Sequence, residues 1–228
     1  PGLKVLSDDG TWIATHVINN GKKDVVELVT NFGNSIRATP EHWIVVADYS
    51  GLKWKMIKDV NVGDWVPLKL GKWVVDKNFE FTGFKYTPKS DKRKGHFVEK
   101  SIIIPRRMTK EFATLLGLYI GDGSNHRDGI RFLSGVKEKE LVDIASKLVE
   151  KTFGRKPSIS GKERYEVSLF SVKLKEFFKH FKLLKRSSAT AEIPKPVLMS
   201  SEEVVCGFLR GLFTCDGSIS HGKYIMLT

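Results

Sequence analysis

The spacing of apolar residues along the chain changes character near residue 105. Before residue 70, short apolar or β-branched runs alternate with breakers such as Asn20-Gly21 and Ser50-Gly51, which predicts an antiparallel all-β module. Its predicted strands span 12–18, 24–30, 35–39 and 43–47. After residue 105, apolar residues recur every three or four positions, which predicts helices. The sequence therefore predicts two domains, an all-β module and an α+β domain.

Residues 105–228 alternate predicted helices with pairs of predicted strands. The helices span 109–121, 137–153, 172–181 and 202–214, and the strands span 124–127, 129–134, 157–160 and 165–170, with a strand-like tail at 218–227. The apolar stripe of the second helix is Leu141, Ile144, Ala145, Leu148 and Val149. The last helix repeats the first type of helix, and Asp122 and Asp216 mark a repeat of 94 residues.

The two repeated helices end alike. Residues 115–123 read LLGLYIGDG and residues 209–217 read LRGLFTCDG. Small residues four positions apart share one helix face, and the two pairs are Gly117 with Gly121 and Gly211 with Cys215. We therefore expect the two helices to pack through these faces with their backbones in close approach, and to end side by side.

Such packing would bring Asp122 and Asp216 together at two helix C-termini, where partial negative charge already accumulates. Two carboxylates there repel each other and raise a pKa, and a hard divalent cation such as Mg²⁺ would relieve the repulsion. Metal beside paired carboxylates suits phosphodiester hydrolysis, because it stabilises the attacking and leaving oxygens. One Asp-Gly pair is an ordinary helix stop, so the prediction depends on both copies occupying equivalent places.

The chain carries 38 Lys and Arg against 26 Asp and Glu, a net charge of +12. Residues 51–100 and 151–200 carry net charges of +6 and +8, whereas residues 1–50 carry −2. This asymmetry favours a polyanionic partner, and nucleic acid is the first candidate. No apolar run is long enough to cross a membrane, no signal peptide is visible, and the two cysteines form no Cys-x-x-Cys pair. We therefore expect a cytoplasmic protein.

Over residues 105–228 the two Asp-Gly motifs resemble the paired LAGLIDADG motifs of homing endonucleases. The resemblance implies a monomer with two pseudo-symmetric halves, each of the order αββαββα, that lay antiparallel sheets in the major groove of double-stranded DNA. This chain would hold the first half and the start of the second. Asp122 and Asp216 would be catalytic ligands of Mg²⁺. The expected DNA-binding residues on the first sheet are Arg127, Arg131, Lys162 and Arg164.

One position departs from the family pattern. Members often carry an active-site lysine two residues before an Ile-Pro pair that precedes the second motif. Here Ile193-Pro194 is present, but Ala191 takes the place of the lysine. Nearby lysines that the sequence does not distinguish are Lys182, Lys185 and Lys195. Two alternatives to cleavage therefore stay open, a DNA-binding regulator on the same fold and an RNA maturase.

The β-rich part contains Thr39-Pro40-Glu41-His42 between two predicted strands, and the turn Val62-Gly63-Asp64 follows. A Thr-x-x-His before a strand resembles the N-terminal splicing region of inteins, the hedgehog/intein module. The resemblance makes His42 and Thr39 catalytic, because they would hold the scissile amide during an acyl shift at the first residue. Residues 1–70 would then form the splicing module and 71–104 a basic connector or DNA-binding arm. The flanking host-protein segments, the exteins, would be partners.

An intein begins with Cys or Ser and ends with His-Asn, whereas this sequence begins at Pro1 and ends at Thr228. We therefore expect the splicing residues, and most of the second endonuclease sheet, to lie outside the sequence. Taken together, the motifs predict a partial intein with an embedded site-specific DNA endonuclease.

Overall fold

The computed structural model describes residues 3–7, 10–68, 73, 75–87, 101–185, 187, 191–220 and 224–227. The chain divides into unit 1, Pro1–Lys72, and unit 2, Trp73–Thr228. Unit 1 carries 9 Lys and Arg against 8 Asp and Glu, and unit 2 carries 29 against 18. Almost all of the net positive charge therefore belongs to unit 2.

Unit 1 consists of antiparallel strand pairs. They are β1 (Leu3–Ser7) with β2 (Gly10–Ala14), β3 (Val26–Val29) with β4 (Ser35–Ala38), and β5 (Trp43–Asp48) with β6 (Gly51–Met56). Each of the four predicted strands overlaps an observed one, although the strand predicted at 12–18 ends at residue 14. The strands β1 and β6 were not predicted. In β6, the apolar residues alternate with lysines directly after Gly51, and this glycine was interpreted only as a breaker.

The core of unit 1 is small. Its buried residues are Ile44 and Val46 of β5 and Ile57 of a 3-10 turn, Ile57–Asp59. Alternate residues of a strand point to opposite faces of a sheet, and the other face of the β5–β6 hairpin carries Trp43 and Trp54, which are 51% and 67% exposed. Little apolar surface is therefore removed from water within this unit.

Unit 2 contains helices and strands in the predicted order. They are α1 (Lys110–Asp122), β7 (Ser124–His126), β8 (Gly129–Val136), α2 (Lys139–Phe153), β9 (Ser158–Ser160), β10 (Tyr165–Phe170), α3 (Val172–His180), α4 (Lys195–Leu198), α5 (Glu202–Asp216), β11 (Gly217–Ser220) and β12 (Tyr224–Leu227). Only the short α4 was not predicted. The arrangement α1–β7–β8 recurs as α5–β11–β12, which confirms the repeat. None of the helices in the described ranges combines the length and apolar character needed to cross a membrane.

The first repeat of unit 2 forms an antiparallel sheet in the order β7-β8-β10-β9, with α1, α2 and α3 packed on it. Fully buried aromatic side chains fill the space between the sheet and the helices: Phe112, Tyr119, Phe132, Phe153, Phe177 and Phe178. The predicted stripe of α2 is wrong at Ile144, which is 51% exposed. The buried face runs instead through Val142, Ala145 and Val149, which follow helical spacing from the observed start of α2.

Part of the predicted 71–104 connector belongs to the core of unit 2. Phe81 is 9% exposed, and its ring centroid lies 5.0 Å from that of Phe177. The Phe81 N–H donates to the Arg106 carbonyl, and Trp73 Nε1 donates to the Ser200 carbonyl at 2.7 Å. Residues 73–84 therefore contribute to the folded unit and are not a simple linker. The basic run at 89–95, which was the strongest reason to predict a DNA-binding arm, lies outside the described residues.

Candidate active site

The helices α1 and α5 run parallel with their backbones in contact. A Cβ atom on Gly117 would lie 2.1 Å from the Phe208 carbonyl oxygen, and one on Gly211 would lie 2.1 Å from the Thr114 carbonyl oxygen. These distances are far below a van der Waals contact, so only glycine permits the observed approach. The close packing predicted from the spacing of small residues is confirmed.

Both helices also end in the same geometry. The Gly123 N–H donates to the Tyr119 carbonyl, and the Gly217 N–H donates to the Phe213 carbonyl. A Cβ on Gly123 would lie 2.5 Å from its carbonyl partner, and a Cβ on Gly217 would lie 2.3 Å from its own. Each glycine has an ordinary negative φ. It is therefore required by the close contact, and it lets the chain leave the helix directly as a strand.

Because the helices are parallel and in register, Asp122 and Asp216 lie together at one end of the pair. Burial raises the pKa of Asp216, and the negative charge of Asp122 raises it further. Burial and the charges of both aspartates raise the pKa of the Cys215 thiol between them to about 12. Cys215 therefore stays protonated at neutral pH and packs against α1, which excludes a role as a thiolate nucleophile.

The oxygen atoms at these helix ends suit Mg²⁺. This ion is usually held by one or two carboxylates, and waters and substrate phosphates complete its octahedral shell. Asp122 and Asp216 would provide the carboxylates. In the described part of the chain, no three side chains of the types His, Cys, Asp and Glu cluster as a metal site. A metal at this point would therefore keep positions for water and phosphate, as catalysis on DNA requires.

Lys185 is the lysine that reaches the paired aspartates. Its Nζ donates to the Gly121 carbonyl at 2.6 Å, and its positive charge lowers the pKa of Asp216. Ala191, at the position where the family pattern has lysine, is exposed and carries no charge. The sequence analysis did not select Lys185, because no local pattern distinguishes it from the neighbouring lysines.

A turn after α3 directs the chain towards this site. Lys182 adopts a left-handed conformation with φ of 55°, which is uncommon for residues other than glycine. The Leu183 N–H then donates to the Phe178 carbonyl at 2.8 Å, as at helix ends that close with a left-handed residue. Leu183 is 1% exposed, so its burial anchors the segment two residues before Lys185.

The four predicted DNA-binding residues lie in different environments. The Arg127 side chain is 88% exposed in the β7–β8 turn, and Lys162 and Arg164 are exposed in the β9–β10 turn. The expectation of an exposed, available Arg131 is wrong. Its side chain is 25% exposed, and its Nε lies 3.2 Å from a Glu166 carboxylate oxygen on the neighbouring strand. This ion pair neutralises the charge of Arg131.

In unit 1, Thr39 and His42 begin and end one tight turn. The His42 N–H donates to the Thr39 carbonyl at 2.9 Å, and the Ile57 N–H donates to the His42 carbonyl at 2.8 Å. The backbone of the turn is thereby held against the 3-10 turn. Thr39 is half-buried and His42 is exposed. A groove of about 820 Å³, lined by residues 21–24 and 39–41, opens beside Thr39.

Known proteins resemble this chain over short parts of their own length, and no family model matches it. One relative is the A-type ATP synthase of Pyrococcus abyssi, in which a single subunit is 26% identical over 217 residues, covering 92% of this chain and 20% of that protein. The chain is 23% identical over 237 residues to the replication factor C small subunit of Methanocaldococcus jannaschii, covering 99% of this chain and 11% of that protein. Against the uncharacterized protein MJ0043 of the same organism, identity is 30% over 129 residues, covering 55% and 16%.

Proposed function

We propose that this chain is part of an intein that contains a DNA endonuclease. The observation that carries the proposal is the pattern of similarity to other proteins. Nearly the whole chain matches a small part of one ATP synthase polypeptide, and it likewise matches a small part of a replication factor. Those two names describe unrelated tasks. A segment common to both is independent of either task, as expected for an insertion that removes itself from its host protein.

The turn of unit 1 supports a splicing role for Thr39 and His42. The backbone of the turn is fixed by three hydrogen bonds, and the His42 imidazole is exposed to an incoming peptide. An imidazole placed there can protonate the amide nitrogen that leaves when a nucleophile attacks the preceding carbonyl. The flanking host segments would then be the substrate, with the scissile amide lying along the groove beside Thr39.

We expect His42→Ala to slow cleavage at the upstream junction by about 10²- to 10⁴-fold, the usual contribution of a general acid. The experiment expresses the parent polypeptide that contains this chain and follows precursor and products by mass spectrometry. His16→Ala is the matched control, because His16 is exposed and lies outside the turn. Excision that proceeds normally in His42→Ala would remove His42 from the mechanism, and a parent that never excises the segment would refute the splicing proposal.

For unit 2 we propose a metal-dependent, site-specific cut in double-stranded DNA. Three features support it: the excess of 11 positive charges, the paired aspartates, and the ammonium group of Lys185 beside them. Bound Mg²⁺ would stabilise negative charge on the attacking and leaving oxygens. Lys185 would reduce the repulsion between the carboxylates and an approaching phosphate. The exposed Arg127, Lys162 and Arg164 would bind the DNA backbone or base edges.

The cleavage proposal is tested with the excised segment and a library of duplex DNA, with Mg²⁺ or with EDTA. We expect scission at one long recognition sequence with Mg²⁺ and none with EDTA. The affinity for DNA should fall steeply with salt, because binding of the basic unit releases counterions from DNA. Specific binding without scission would instead identify a DNA-binding regulator, and preference for structured RNA would identify a maturase.

A further inference from the structure

Lys185 is held at the aspartate site by a closed set of hydrogen bonds. The Lys185 N–H donates to Tyr119 Oη at 2.8 Å, and Asn125 Nδ2 donates to the Lys185 carbonyl at 2.7 Å. Tyr119 Oη in turn donates to Asn125 Oδ1 at 2.6 Å. Both backbone polar groups of Lys185 are thus bonded to two side chains that also bond to each other. We call these three residues the lysine clamp.

The clamp joins three parts of unit 2 that are distant in sequence. Tyr119 lies on α1, Asn125 on β7, and Lys185 in the segment after α3. Tyr119 is fully buried, and burial raises its pKa to about 12, so the phenol stays protonated and can donate one bond while accepting another. Lys185 itself lies outside helices and strands. Its backbone therefore depends on side-chain partners for the bonds that regular structure would otherwise supply.

We propose that Tyr119 and Asn125 are positioning residues that hold Lys185 for the cleavage reaction. The proposal rests on the endonuclease function proposed above for unit 2. A lysine side chain has a flexible four-carbon stem and loses about 2 kcal/mol of rotamer entropy when fixed. Fixing its backbone at both polar groups limits where Nζ can reach, and the observed place is the Gly121 carbonyl beside the paired aspartates. An error of about 1 Å in such a group can cost 10²-fold in rate.

The main test replaces Tyr119 with Phe, which keeps the buried ring and removes only the hydroxyl group. We expect Tyr119→Phe to lower the cleavage rate by about 10- to 100-fold while DNA affinity stays unchanged. In a Lys185→Met background, the same change should have no further effect, because the clamp acts only through Lys185. Tyr165→Phe is the matched control, since Tyr165 is a partly buried tyrosine on β10.

A second measurement observes the clamp without using activity. Hydrogen exchange at the Lys185 amide should become faster in Tyr119→Phe, because its acceptor is removed. The Leu183 amide, which bonds to the Phe178 carbonyl, should keep its protection. Equal rate losses in the wild-type and Lys185→Met backgrounds, or unchanged exchange at Lys185, would overturn the clamp alone. A wild-type protein that never cuts DNA would overturn the endonuclease proposal, and with it the role of the clamp.

Discussion

Replacing either aspartate at the helix ends, Asp122→Asn or Asp216→Asn, should lower the rate of DNA cleavage by about 10³-fold or more. Asparagine keeps the size of the side chain and one carbonyl oxygen, but it removes the negative charge that holds a divalent cation. Affinity for the same DNA should persist or rise slightly, because less negative charge then faces the phosphates. The measurement is single-turnover cleavage with Mg²⁺ alongside a binding titration in EDTA.

Stability should change in the opposite direction. The pKa of Asp216 is raised, so its ionised form is less favourable in the folded protein than in the unfolded chain. Without metal, stability should fall as the pH rises through the range between the usual carboxyl pKa and the raised one. Asp216→Asn removes this loss, and we expect a higher melting temperature than wild type at neutral pH in EDTA.

Added Mg²⁺ should reverse that ranking, because a ligand that binds only the folded state stabilises it. The melting temperature of the wild type should rise with Mg²⁺, and that of the doubly substituted protein should not. Asp143→Asn is the matched control, since Asp143 is exposed on α2, away from the helix ends. Cleavage that survives both aspartate substitutions would refute the assignment of the metal site.

The second large effect is expected at the contact between α1 and α5. Gly117→Ala should lower the free energy of unfolding of unit 2 by about 2–3 kcal/mol, because the added Cβ cannot fit and the helices must separate. The new atom would lie 2.1 Å from the Phe208 carbonyl oxygen and 2.6 Å from the Leu212 nitrogen. Alanine favours a helix over glycine by about 1 kcal/mol. A net loss would therefore report the steric contact and not helix propensity.

Thermal and denaturant unfolding of unit 2 would measure this effect, and the melting temperature should fall by roughly 4–12 °C. Cys206→Ala provides the control on α5, because Cys206 is exposed and its truncation should change stability by about 0.5 kcal/mol or less. If Gly117→Ala were as stable as the wild type, the two backbones would not be in contact. Because both aspartates sit at the ends of these helices, the same change should also reduce cleavage.

Elements with strong helical spacing were predicted well from the sequence, and short strands were predicted less well. In α1 and α3 the apolar residues recur over two or more turns, so several residues agree on each prediction. Strands such as β6 offer only a few alternating positions, and a glycine at the start is enough to hide them. The shift of the buried α2 face from Ile144 to Val142 shows that a stripe specifies a helix more reliably than its rotation against the core.

The sequence by itself determined the paired Asp-Gly helix ends, the repeat that relates them and the charge excess of residues 151–200. These properties depend on residue identity and on the fixed spacing of a helix. Only the tertiary structure decided that Lys185 reaches the aspartates and that Glu166 neutralises Arg131. The first depends on a left-handed turn at Lys182, and the second on the register between β8 and β10. Contacts between residues tens of positions apart follow from packing, which local patterns do not specify.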